Sequence, residues 1–279
     1  ENGENGENSS GESRAVEKLR NAQERMENAQ EKMNKAQKSQ SVEEQQKALR
    51  ELEEAKAELE EALRQLREEE AKRYLTMLDA RLKKIQELQR KVYDDTCRLD
   101  GLDASRSSEV AVEASRLSRR EQEIILETQK ALLLLHEEGS TKMLPDVLEQ
   151  VLDDMRSVSQ LLASGRVDTL TQSTQEDILA ALEEMLEALE LAEQKLEESQ
   201  AEGGQEASPA DGDPALVDMI AELKMIRSAQ VRIHKRTEKV SQLSDTATME
   251  EKRTILGDLS KRQERLRKIV HDFATETKR

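Results

Sequence analysis

The sequence predicts an all-α protein in which a long coiled-coil helix is followed by an antiparallel helical bundle and a C-terminal helical hairpin. Three observations carry that prediction. Of 279 residues, 37% are charged and 35% hydrophobic but only 1% aromatic, a balance found in coiled coils and poor in the side chains that line pockets. Residues 13–97 contain neither Gly nor Pro, the residues that most often end a helix. Within them lies a near-repeat of seven, Asn21-Ala-Gln-Glu-Arg-Met-Glu27, then Asn28-Ala-Gln-Glu-Lys-Met-Asn34, then Lys35-Ala-Gln-Lys38.

In chain order, residues 1–12 read as an acidic disordered leader of the kind that follows a removed signal peptide, although an artificial chain end reads the same way. Residues 13–99 read as one long coiled-coil helix reaching on the order of 130 Å. Its first part carries Ala15, Leu19, Ala22, Met26, Ala29, Met33 and Ala36 at alternating spacings of four and three, one narrow seam on an otherwise charged helix. Small Ala and flexible Met bury little area per turn, so the seam suits close approach to a partner with modest stability. Ala48, Leu52, Ala55, Leu59, Ala62 and Leu66 form a second seam, and Leu75, Leu78, Leu82, Ile85 and Val92 a third. The register changes near 40–42 and 68–70, where a coiled coil can change partner. The later helices are expected to cover the Leu-rich part from Tyr74 onward, which leaves the Ala/Met seam for another chain.

Asp100-Gly-Leu-Asp103 supplies a helix stop and then a cap, so the chain is expected to reverse into a second helix over about 104–138, with Val110, Leu117, Ile124 and Ala131 on its seam. Gly139-Ser-Thr141 ends it, and Pro145 suits the first turn of a third helix bearing Leu148, Val151, Leu152, Met155, Val158 and Leu162. Gly165 ends that helix. Thr171 and Ser173 can cap a fourth, with Ser173 and Glu176 at capping-box spacing, and Ile178, Leu182, Met185, Leu189, Ala192 and Leu196 form its seam. These three helices, within 100–199, are expected to pack as a bundle with the second half of the long helix. Residues 200–213, rich in Glu, Gly and Ala with Pro209, read as a flexible linker. Residues 214–279 then form an antiparallel hairpin: a fifth helix through Leu216, Ile220, Leu223, Ile226, Ile233 and Val240, and a sixth, capped by Thr248 and Glu251, through Leu256, Leu259, Leu266, Ile269 and Phe273.

Charge divides the chain more sharply than its total of −16 suggests. Residues 121–214 hold 23 acidic and 5 basic residues, a net −18; residues 215–279 hold 10 acidic and 15 basic, a net +5. The basic side chains Arg227, Arg232, Lys235, Arg236 and Lys239, with Lys261, Arg262, Arg265 and Lys268 on the next helix, make the hairpin a candidate contact. Docking on the acidic fourth helix or on an acidic protein surface ranks first, an anionic membrane surface second, and nucleic acid last, since no aromatic among the bases of the fifth helix offers a stacking platform.

No catalytic constellation, cofactor motif or small-molecule substrate site is expected. His136, His234 and His271 are far apart, and none stands three or four residues from another His or a Cys. The dense face Glu183, Glu184, Glu187, Glu190, Glu193, Glu197 and Glu198 lacks a calcium-loop pattern and reads as solvated. A single cysteine, Cys97, leaves the redox compartment unmarked.

The string Leu223-Lys-Met-Ile-Arg-Ser-Ala-Gln-Val-Arg232 followed by Arg236-Thr237, together with Thr171-Gln172 and Gln175-Glu-Asp-Ile178, resembles a family of exported bacterial coiled-coil proteins of unknown function, encoded near TolQ/ExbB-type proton-channel components. The resemblance covers roughly 148–273. It implies an extracytoplasmic, periplasmic helical accessory protein rather than an enzyme; a cytoplasmic protein is the other reading. The expectation is therefore a scaffold or coupling protein in an envelope-associated assembly, binding protein partners or a second copy through the coiled coil. The alternative is a peripheral module that meets anionic membrane through the basic hairpin.

Overall fold

The computed structural model describes residues 5–35, 38–102, 106–139, 141–201, 219–242 and 249–276. Seven helices follow in order: α1 (Asn5–Asn34), α2 (Lys38–Asp100), α3 (Ser107–Glu138), α4 (Met143–Ala163), α5 (Thr169–Ala201), α6 (Met219–Gln242) and α7 (Met249–Glu276), and the described residues contain no strand. The all-α class expected from the sequence is therefore the observed one. The chain divides into two compact units, 1–72 and 73–279, and the division falls inside α2.

In the first unit the expected single helix over 13–99 is two elements. α1 stops at Asn34, and α2 runs back along it. Ion pairs fix the direction: Lys18 meets Glu54, Arg25 reaches Glu44 at 3.4 Å, and Lys32 reaches Glu44 at 2.9 Å. The Ser41 hydroxyl donates to the Ala29 carbonyl at 3.3 Å, a bond that only closely approaching helices permit. That register sets Ala22 across from Ala48 and Ala15 across from Ala55, and with Ala29 and Ser41 all six of these small residues are buried. A heptad row cannot distinguish a partner on another chain from one further along the same chain.

In the second unit α2 contributes a core row at alternating spacings of three and four, from Leu75, Leu78, Leu82 and Ile85 through Gln89, Val92 and Thr96 to Leu99. α3 answers with Ala114, Leu117, Glu121, Ile124, Thr128, Ala131 and Leu135. α4 is buried nearly all round, and α5 presents Ile178, Leu182, Met185 and Leu189. The bundle's helices are tied by the Ser118 hydroxyl donating to the Ser159 carbonyl at 2.8 Å, Tyr93 donating to Glu176 at 2.9 Å, and Gln175 donating to Thr96 at 3.1 Å.

Helix ends follow local chemistry. Gly139, with φ of 72°, takes the left-handed conformation that closes α3, and its N–H bonds the Leu135 carbonyl. At the end of α4, Gly165 bonds the Leu162 carbonyl while Arg166 bonds that of Leu161, a Schellman stop around a second left-handed glycine. The cap of α5 departs from the Ser173 expectation. Asp168 accepts the Thr171 N–H at 3.2 Å, Thr171 is buried, and the Ser173 hydroxyl instead receives the Lys239 ammonium at 3.0 Å. The apolar face of α6 also shifts in its first turns. Ala221, Met225 and Ala229 are buried while Ile220 and Leu223 are exposed. The expected start of the fifth helix at 213–214, the Thr248 cap and 202–213 of the linker lie outside the described residues; α5 extends to Ala201.

Candidate functional site

Two features stand out among the described residues, one in each unit: a continuous apolar side on the α1–α2 hairpin, and a buried cluster of arginines and aspartate where α6 and α7 meet α4.

The α1–α2 hairpin has two unlike sides because its axis of contact runs through the alanines. On one side lie Lys18, Arg25 and Lys32 of α1 with Glu44, Glu51 and Glu54 of α2, where Lys32 and its neighbours hold the Glu44 carboxyl below the ordinary range. On the other side lie the residues four after each alanine. α1 exposes Leu19, Met26 and Met33 there, with Val16 beside them. α2 exposes Leu59 and Leu66 with Val42, Leu49 and Leu63 alongside. Gln45 and Met33, 3.9 Å apart, show the two rows meeting across the hairpin. Of the seam residues expected to meet another chain, Ala22 and Ala29 are thus covered by α2 of the same chain, which corrects that assignment. Leu19, Met26 and Met33 are 44–51% exposed, and Ala36 lies outside the described residues.

The basic face of α6–α7 is largely turned inward. Asp154, on α4, is 5% exposed and receives Arg236 at 2.8 Å and Arg262 through two bonds at 2.7 and 2.8 Å. Burial alone would raise the Asp154 carboxyl, but the two guanidinium groups outweigh it and hold the group below its usual range. Arg236 also lies 3.8 Å from Asp177, Arg232 pairs with Glu184, and Arg265 approaches Glu149 at 3.5 Å and Asp153 at 3.8 Å. Gln230 and Gln263 exchange hydrogen bonds at 2.8 and 3.0 Å and lock α6 to α7. The expected docking of the hairpin on acidic helices therefore occurs within this unit, with α4 rather than α5 supplying the central carboxylate. Lys261 and Lys268 pair with acids of their own helix, and Arg227 and Lys235 are exposed.

A cavity of about 450 Å³ opens beside Asp154. Its charged lining is three arginines, Arg166, Arg236 and Arg262, against Asp154, Glu250 and Asp258, so the wall is close to neutral and offers no net field to a charged ligand. Among the described residues no group of three His, Cys, Asp or Glu could hold a metal ion, and no helix is long and apolar enough to cross a membrane.

One further buried group went unnoticed in the sequence. Glu121 sits fully buried on the core row of α3, and burial pushes its carboxyl up to about 8. With the Gln89 amide nitrogen turned toward it, that nitrogen donates to both oxygens at 3.1 and 3.3 Å. The signal was available: Glu121 stands between Leu117 and Ile124 at core spacing, where a carboxylate is out of place.

No protein-family model matches the chain, and neither curated proteins nor solved structures give a significant match.

Proposed function

We propose that this protein is a non-enzymatic scaffold or coupling component that acts through helix-mediated protein–protein contact. The observation that carries this reading is the uncovered apolar side of the α1–α2 hairpin. Nine large apolar residues there are each 42–63% exposed, an amount of contiguous apolar surface that marks a contact site rather than a solvated face. The other face of the same hairpin is closed by ion pairs, so only one side is available for docking. The envelope-associated, extracytoplasmic setting is part of the same proposal and rests on the resemblance of 148–273.

The membrane alternative has less to draw on, since Arg232, Arg236, Arg262 and Arg265 direct their charge to α4 and α5. Cross-linking mass spectrometry in the native cells tests the proposal. The full chain should give cross-links from residues flanking Leu19, Met26 and Leu49 to protein surfaces, and the Met26→Glu/Leu49→Glu variant should lose them while keeping the cross-links within 73–279. If no intermolecular cross-link depends on those side chains, the scaffold reading is wrong.

A further inference from the structure

We infer that the apolar side of the α1–α2 hairpin is the face on which two copies of this chain pair, with their α2 helices antiparallel about a two-fold axis near residue 54. The inference deepens the docking proposal above and rests on it. What points to a second copy is a mismatch in the lengths of the two apolar rows.

The α1 row ends at Val16, which the hairpin register sets across from residue 54 of α2. The α2 row does not end there. It continues through Leu59, Leu63 and Leu66, all 42–46% exposed. The stretch of α1 that the same register carries alongside them, residues 5–11, contains only Asn, Gly, Glu and Ser. Three leucines therefore extend past the part of their own hairpin that could complete an apolar side.

An antiparallel pair centred on residue 54 removes the mismatch. Residue 49 of one copy then meets residue 59 of the other, and residue 45 meets residue 63. The apolar part of each α1, residues 16–32, lies along residues 38–54 of its own α2, so it also faces the extension of the second copy's α2. Leu19 of one copy comes beside Leu59 of the other, and Met26 beside Leu63 and Leu66. One operation covers the extension on both chains, which is the self-complementarity that a two-fold interface requires. The ion pairs Lys18–Glu54, Arg25–Glu44 and Lys32–Glu44 lie on the opposite side and stay in water. The amount of surface also fits: the nine apolar residues together expose on the order of 800 Å², what each partner contributes to a standard interface.

Two measurements on the full chain test this. Sedimentation equilibrium at micromolar concentration should give twice the 31.7 kDa chain mass, and Met26→Glu/Leu49→Glu should raise the dimer dissociation constant by at least about tenfold with helical circular dichroism retained. In a Cys97→Ser background, Met26→Cys with Leu63→Cys should form a covalent dimer on mild oxidation, and neither cysteine alone should do so. Within one chain residue 63 lies about 28 Å along α2 from residue 44, the position facing Met26, so that disulfide joins two copies. A monomer at high micromolar concentration overturns the pairing; if its Leu49-dependent cross-links to another protein persist, the docking proposal survives. A dimer insensitive to the glutamates overturns the pairing, and the docking proposal as well if no cross-link to another protein depends on Leu49; a dimer that forms no 26–63 disulfide overturns the antiparallel register.

Discussion

The two compact units are written with the same alternating three-and-four spacing but close their helices with opposite side-chain sizes. Among the described residues of the first unit, every buried apolar residue is an alanine: Ala15, Ala22, Ala29, Ala48 and Ala55. The second unit instead buries Leu82, Ile85, Ile124, Leu135, Leu148, Met155 and Leu182 completely. Alanine lets two helices approach closely but removes little apolar area from water, so the large residues beside it are left at the rim. Leucine and methionine in the centre fill the space between several helices, although Leu126, Leu133 and Ile220 of the same unit stay 58–61% exposed. The difference teaches where each unit is incomplete. The bundle has a core of large side chains shared by several helices, whereas the hairpin buries only alanines and leaves its large apolar residues together on one open side.

The comparison is broken most severely at the most buried charge cluster described in the larger unit. Asp154→Ala leaves Arg236 and Arg262, both mostly buried, without their shared carboxylate, and should cost ~3–5 kcal/mol of local stability. Hydrogen exchange should show α6 and α7 losing protection while α3 to α5 keep theirs. Equal loss across the bundle would mean that the cluster holds the core rather than the hairpin. The pH dependence has a definite sign. Because the Asp154 carboxyl is held below its ordinary value, its stabilisation is present at neutral pH and lost as pH falls through that lowered value.

Core truncation sharpens the contrast at the next level. Leu182→Ala should cost about 3 kcal/mol in chemical denaturation, since Leu182 is fully buried and its loss opens a cavity. In the first unit the sensitive positions are the small ones. Ala48→Leu should cost about 2 kcal/mol by forcing α1 away from α2, and the exchange protection of α1 should fall with it. If Ala48→Leu is silent, the hairpin does not close through its alanines.

Much of this fold was legible because burial writes a period. The rows on the second half of α2 and on α3, α4 and α5 were readable as heptads, and Gly139 and Gly165 marked their ends. The reversal of α1 was less so, because residues 34–38 contain no Gly or Pro, and the Ala row reads on toward Ala36. The signal was a mirror: Ala15, Ala22 and Ala29 before residue 35, and Ser41, Ala48 and Ala55 after it, at equal spacing and equal distance. The arginine–aspartate cluster was half legible. The basic residues stood out as a face, but their partner Asp154 is one of two adjacent aspartates between Val151 and Met155, and its role depends on α6 and α7 arriving from a distant part of the sequence.

The smallest expected effect concerns the polar residue that interrupts the larger unit's apolar core. Burial raises the Glu121 carboxyl from its ordinary 4.5 to about 8 in the folded state, so at neutral pH folding binds a proton that the unfolded chain has released. Its contribution is most favourable below the unfolded value and is lost as pH rises toward 8. By that linkage the carboxyl costs about 3 kcal/mol at pH 7. Glu121→Gln removes the cost but brings a buried amide, whose second N–H lacks an identified acceptor and returns roughly 1–2 kcal/mol of it. The variant should therefore be more stable by about 1–2 kcal/mol at pH 7 and show no gain at pH 4.5, where the unfolded carboxyl is itself half protonated and the buried amide penalty remains. Thermal unfolding at the two pH values measures the difference. A pH-independent change would show that Glu121 is not the proton-binding group, and a loss at both would mean that the Gln89 contact requires the carboxyl.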